Sequence, residues 1–135
     1  MKVKGCRWVD ARLVTENDGQ LWVAEENNRV PFTIRRVFCV MNVAEGKSRG
    51  DHATKQTKLI LFPLCGSCDV VVDDGSEKET FHMDDPTKGL CIDPMIWRSM
   101  IHFTPDCIMM ALCDSPFAPG DETYDDYEEY LAALK

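Results

Sequence analysis

Apolar and β-branched residues fall along this chain in short runs with Gly, Pro, Asn and Asp between them, the rhythm of strands joined by turns. WVDARLV, LWVAEE, RRVFCVMN, KLILFPLCG, CDVVVDD, ETFHM, GLCID, WRSMIHF and CIMMALC each read as a strand. Their spacing predicts an all-β sandwich or barrel. VVVDDGSEKETF breaks at Asp74-Gly75, where glycine supplies a positive φ, so this segment is expected to be a hairpin. Pro31, Pro63, Pro86, Pro94 and Pro105 should lie at strand boundaries or edges, because proline has no N–H for a central ladder. RGDHATK, residues 49–55, is a further extended stretch; alternation would turn His52, Thr54 and Gln56 to one face and Ala53 and Lys55 to the other. No repeat or linker interrupts the pattern, so residues 1–135 are expected to close into one domain.

The period changes at the end of the chain. In TYDDYEEYLAALK, Tyr124, Tyr127, Leu131 and Leu134 fall on one helical stripe, Thr123 and Asp126 resemble a capping box, and acidic residues fill the early turns. This predicts a helix over residues 123–134 that docks on the sheet through its tyrosines.

Composition narrows the class. A hydrophobic fraction of 44% and a charged fraction of 28% suit an ordinary globular protein. No apolar run approaches the roughly 18 residues of a membrane span, and MKVKGCRWVDARL lacks the apolar core of a signal peptide, so a cytoplasmic location is expected. The net charge of −8 argues against nucleic acid or a membrane surface as partner, since both call for a basic face. Asp114, Asp121, Glu122, Asp125, Asp126, Glu128 and Glu129 hold seven of the 23 acidic residues in a stretch without Lys or Arg, leaving 16 acidic against 15 basic elsewhere. The charge balance of the main body therefore does not exclude an anionic ligand. Seven cysteines in apolar surroundings form an odd set, read as reduced and mostly core thiols.

Two motifs invite chemistry. Cys65-Gly-Ser-Cys68 has the spacing of a zinc or redox pair, but no second pair completes a zinc site and the motif lies between strands, not at a helix start. It reads as a turn with one cysteine on each flanking strand. A metal centre in a small barrel would want His-x-His with further ligands; here Thr54 follows His52 at that spacing, and His82 and His102 lie on other strands, so neither metal nor cofactor is expected. Arg36, Arg49 and Lys55 surround His52 in sequence, and an arginine fork suits phosphate, although the same spacing serves a solvated strand edge.

Three segments, VPFTIRRVFCVMNVAEGKSRGDHATK, LCGSCDVVVDDG and GLCIDPMIWRSMIHFTPDCIMMALC, resemble in this order the WxcM-like cupins that act as dTDP-4-keto-6-deoxy-sugar 3,4-ketoisomerases. The resemblance runs over nearly the whole chain. It implies a cupin jelly roll with a short C-terminal helix, a homodimer with exchanged N-terminal strands, and a dTDP-sugar bound in the barrel mouth without a metal. In such a reaction, within deoxyamino-sugar or surface-glycan synthesis, a base removes the proton on C3 beside the C4 ketone. The enediolate is then reprotonated at C4. The work suits a group that titrates near neutrality, with donors or cations near the oxygens. Residue by residue, the resemblance makes His52 the base and sets Arg98 and Thr54 at the enediolate. It sets Arg36 and Arg49 at the diphosphate with Lys55 beside them, and puts Trp97 with Arg98 in the segment lining the sugar pocket.

The departures are as specific as the matches. The motif R-G-x-H-A-H-K has Thr54 at its second histidine, Lys58-Leu59 replaces a usual glutamine, and Phe38 and Cys39 stand where tyrosines are common. With those groups missing together, either His52 moves the proton alone or the reaction is altered or lost. The alternatives are a non-catalytic nucleotide-sugar-binding cupin and a related sugar-nucleotide epimerase.

Overall fold

Alternating side chains along the predicted runs build two layers. The structure, a computed structural model, describes residues 1–117 and 122–135. Its strands are β1 (Cys6–Asp10), β2 (Arg12–Glu16), β3 (Gly19–Val23), β4 (Glu25–Glu26), β5 (Arg29–Val30), β6 (Arg36–Met41), β7 (Arg49–Thr54), β8 (Leu59–Cys65), β9 (Cys68–Asp73), β10 (Lys78–Met83), β11 (Lys88–Ile92), β12 (Trp97–Ile101), β13 (Ile108–Cys113) and β14 (Thr123–Tyr124), followed by helix α1 (Tyr127–Ala133). Two antiparallel sheets result, ordered β1-β11-β8-β13-β6 and β10-β9-β12-β7-β14. From β6 to β13 the chain crosses between sheets at every connection except the β9–β10 hairpin, which makes an all-β jelly-roll sandwich.

One set of alternating residues, including Leu59, Leu61, Val70, Val72, Leu90, Ile92, Met100, Met109 and Ala111, meets between the sheets as the core. The opposite set on the first sheet, Ile60, Phe62, Cys91 and Leu112, is covered by the N-terminal arm through Ala11, Trp22, Val30 and Phe32. Trp22 stands edge-on to Phe62 with ring centroids 5.0 Å apart. Helix α1 covers part of the second sheet. Its Tyr130 is fully buried and donates its hydroxyl proton toward the carbonyls of Asp73 and Met95.

Several boundaries differ from the sequence pattern. WVDARLV bends at buried Ala11, whose N–H donates to the Thr87 carbonyl at 2.8 Å, and becomes β1 and β2. LWVAEE divides between β3 and β4. Thr123 and Tyr124 do not begin the helix; they pair with Thr54 and Ala53 as an added strand. The cap is Asp126, whose carboxylate accepts from the N–H groups of Glu128 and Glu129. Tyr127 of the expected stripe docks by donating to the Asp73 carboxylate at 2.7 Å, and Tyr130, outside that stripe, is the residue buried deepest. Gln56 follows the end of β7 and is exposed. Asp121 lies outside the described residues. Pro63 falls inside β8, beyond the last β11 pair and beside the bulge against β13, where the ladder is already interrupted. The expected hairpin turn forms over residues 74–77, with Gly75 at φ 94°. Cys65 and Cys68 end and begin their strands, and all seven cysteines are free, five of them buried.

Candidate active site

The site begins at an irregularity in β7. Gly50 pairs with Ser99 and His52 with Arg98, so Asp51 is an extra residue, a β-bulge. Both bulge residues take positive φ, 86° at Gly50 and 57° at Asp51. A Cβ on Gly50 would stand 3.2 Å from the Arg98 carbonyl oxygen. The Asp51 carboxylate accepts from the Ser48 and Ser99 hydroxyls, each at 2.7 Å, which locks the bulge. Directly paired residues on antiparallel strands share a face, so His52 and Arg98 project together.

Arg98 is only 5% exposed, and its Nη1 donates to Thr54 Oγ1 at 3.3 Å. The Thr54 hydroxyl in turn donates to the Thr57 carbonyl at 2.7 Å, so its single proton is committed. Burial brings the Arg98 guanidinium down to about 10, with Cys113 and Glu122 opposing and Arg36 adding to the fall, and the group stays charged near neutrality. Burial, followed by the Arg98 charge, lowers the His52 imidazole below its ordinary value, while Asp125, Glu122 and Asp51 act in the opposite direction. His52 Nδ1 lies 3.7 Å from Asp125 Oδ1, which accepts from the Thr123 hydroxyl at 2.9 Å. The result is a neutral imidazole beside a buried cation: a base next to a group that stabilises developing negative charge.

Arg36 joins this cluster from β6, the free edge of the first sheet. Its Nη2 donates to Glu122 Oε1 at 2.5 Å, and its guanidinium stands 5.9 Å from the Phe38 ring centroid and 5.7 Å from that of Phe117. Arg49 is elsewhere. It is exposed and lines a cleft of about 520 Å³ with residues 39–44, Lys47 and Ser48. The Lys55 ammonium lies 4.7 Å from the Tyr124 ring centroid, and its backbone N–H donates to the Glu122 carbonyl. Trp97, expected in the pocket wall beside Arg98, turns to the opposite face of β12 because consecutive strand residues alternate. There it packs edge-on against Tyr127 at 5.2 Å and tilted against Tyr130 at 5.6 Å. His82 and His102 share the Asp69 carboxylate at 2.7 and 2.8 Å on an exposed surface. Among the described residues no group of three or more His, Cys, Asp or Glu is arranged to hold a metal ion. Glu122 and Asp125 were not singled out from sequence; the signal was an acidic pair flanking Thr123-Tyr124, two β-favouring residues placed before the helix proper.

Comparisons with known proteins agree with this fold. The family model described as FdtA, WxcM-like, C-terminal matches residues 4–135. A TDP-4-oxo-6-deoxy-alpha-D-glucose-3,4-oxoisomerase from Aneurinibacillus thermoaerophilus is 33% identical over 128 residues, covering 93% of this chain and 92% of that protein. The TDP-fucose-3,4-ketoisomerase WlaRA from Campylobacter jejuni superposes with a TM-score of 0.90 at 29% identity, over 96% of each chain. A histidine-to-asparagine variant of the 3,4-ketoisomerase QdtA from Thermoanaerobacterium thermosaccharolyticum, in complex with TDP-4-keto-6-deoxyglucose, superposes with a TM-score of 0.92 at 25% identity, over 97% of this chain and 94% of that one. With a family match spanning nearly all its residues and a relative of this identity, the chain belongs to the FdtA, WxcM-like C-terminal family of cupin-fold proteins.

Proposed function

We propose that this protein is a sugar-nucleotide 3,4-ketoisomerase that moves the keto group of a dTDP-4-keto-6-deoxyhexose from C4 to C3, in the synthesis of a deoxyamino sugar for a surface glycan. The observation that carries the reading is His52, lowered in pKa and held opposite buried Arg98. Neutral His52 takes the C3 proton. Arg98, charged and desolvated, stabilises the enediolate oxygens, where a fixed cation is worth far more than in water. Because the Thr54 proton is committed to the Thr57 carbonyl, His52 also returns the proton to C4 once the hydroxyl proton of O3 has passed to O4 of the enediolate, and Thr54 serves by holding Arg98. Arg49, with Lys47 and Ser48 in their cleft, and Arg36 receive the diphosphate; Lys55 stays at the rim and Trp97 supports β12 from behind.

The working unit in this reading is a cytoplasmic homodimer in which the single domain exchanges its N-terminal strands with a second copy. Hairpin β2–β3 belongs to neither large sheet and leaves Leu13 and Leu21 exposed, which supports a partner at that surface. No helix among the described residues is long and apolar enough to cross a membrane.

The test is incubation of the protein with the 4-keto sugar nucleotide in deuterated water, followed by NMR of C3 exchange and product. Exchange, appearance of the 3-keto product and their loss in His52→Ala are expected. Absence of exchange in the wild-type protein, or full activity in His52→Ala, sinks the proposal. TDP binding without turnover of any 4-keto sugar would point to the non-catalytic module, and inversion at C3 or C5 with the ketone left at C4 would point to an epimerase.

A further inference from the structure

Arg36 and Glu122 bridge the two sheets at their open side. Arg36 stands on β6, the free edge of one sheet; Glu122 immediately precedes β14, the free edge of the other. Both side chains are largely removed from solvent, at 19% and 15% exposure, so their charge-assisted bond is only partly screened. Glu122 is itself fixed in the frame of His52. Its carbonyl accepts from Lys55 N–H at 2.9 Å, and the next residue, Thr123, pairs with Thr54 two positions after His52. A carboxylate anchored to β7 therefore grips a guanidinium carried by β6. The Arg36 Nε–H is buried and has no hydrogen-bond partner among the described residues, so the pair with Glu122 leaves donor capacity on that guanidinium unused.

We propose that Glu122 is a positioning residue: by pinning the Arg36 guanidinium beside the Phe38 and Phe117 rings, it holds the cation of one sheet in fixed register with His52 and Arg98 of the other. The role rests on the ligand reading given above for Arg36 and adds a residue to it. Arginine has many rotamers, and ordering it on binding weakens an anionic ligand; an arginine already ordered avoids that loss. The Glu122 charge also bears on the base. The charges that act on His52 are Arg98 of β12, Asp51 of its own strand, and Glu122 and Asp125 of the C-terminal segment, while Arg36 of β6 acts on Arg98. Removing the Glu122 carboxylate lets the imidazole lose its proton more readily.

The experiment is a double-mutant cycle of Glu122→Ala and Arg36→Ala, read by calorimetric affinity for TDP, with Glu122→Gln as the conservative variant and NMR of the His52 imidazole and the Arg36 Nε–H. Glu122→Ala is expected to weaken TDP binding roughly three- to tenfold. Glu122→Gln, which keeps an acceptor, should weaken it less, and the double variant should match Arg36→Ala because Glu122 acts through Arg36. The Arg36 Nε–H signal should be sharp in the wild type and exchange-broadened in Glu122→Ala, and His52 should titrate lower in both Glu122 variants. Additive losses in the cycle, tighter TDP binding in either Glu122 variant, or an Arg36 signal unchanged by Glu122→Ala would overturn the proposal. If Glu122→Ala does not fold, an Arg36 Nε–H signal and a TDP affinity both unchanged in Glu122→Gln have the same force. Wild-type protein that fails to bind TDP would refute the ligand reading, while the two NMR measurements would still decide whether Glu122 positions Arg36.

Discussion

At the scale of the residue, the proposed chemistry depends on one imidazole keeping its lone pair. Burial and the Arg98 charge lower the His52 pKa, so the acid limb of kcat/KM should fall below the ordinary histidine value of about 6.5. Arg98→Met removes the neighbouring cation; that limb should move to higher pH and kcat should fall by about a hundredfold or more, measured in steady-state pH profiles. Thr54→Val tests the committed hydroxyl. It takes away the acceptor of Arg98 and the donor to Thr57, and urea unfolding should show a loss of about 1–3 kcal/mol. His52, Thr54 and Arg98, which the structure brings together, were grouped by the resemblance because the motifs containing them are short and continuous. Glu122 and Asp125 were not, because a run of acidic residues ahead of an amphipathic segment reads first as a helix start, and only the pairing of Thr123 with Thr54 turns it toward the site.

At the scale of the element, the bulge in β7 aims His52. Gly50→Ala forces a Cβ toward the Arg98 carbonyl at a φ that side chains avoid, and should cost roughly 1–3 kcal/mol in denaturant unfolding. Because straightening the strand would rotate His52, kcat should drop more than KM rises. Alternation alone placed His52 and Thr54 on one face, but it did not reveal the extra residue that the Ser48 and Ser99 hydroxyls hold in place. The same limit explains Trp97. Resemblance grouped it with Arg98, whereas the two-residue period of a strand sends neighbours to opposite faces. Strand runs were legible from composition; the bend at Ala11 was not, since it depends on Thr87, which lies far along the chain.

At the scale of the molecule, charge outside the site makes stability depend on pH in a way that can be separated from the chemistry. Hydrogen bonds from His102 and His82 hold the Asp69 carboxyl below its ordinary range, so its contribution is present above the unfolded value and disappears as pH falls through the folded one. Asp69 holds exposed His82 above its ordinary value, so that contribution is complete below the unfolded value and disappears as pH rises through the raised one. His82→Gln should therefore lower the urea midpoint near pH 6 at low salt and leave it nearly unchanged near pH 9. The exposed Leu21 of the N-terminal hairpin, at 58% exposure, carries the assembly prediction: Leu21→Glu should shift sedimentation from dimer to monomer. The cysteine pattern has a practical use as well. With five thiols buried, a maleimide dye should couple at Cys39 and Cys65. Cys39 lines the cleft that holds Lys47 and Arg49, so in a Cys65→Ser background a fluorophore there would report an arriving nucleotide by its emission, giving an optical titration that needs no turnover.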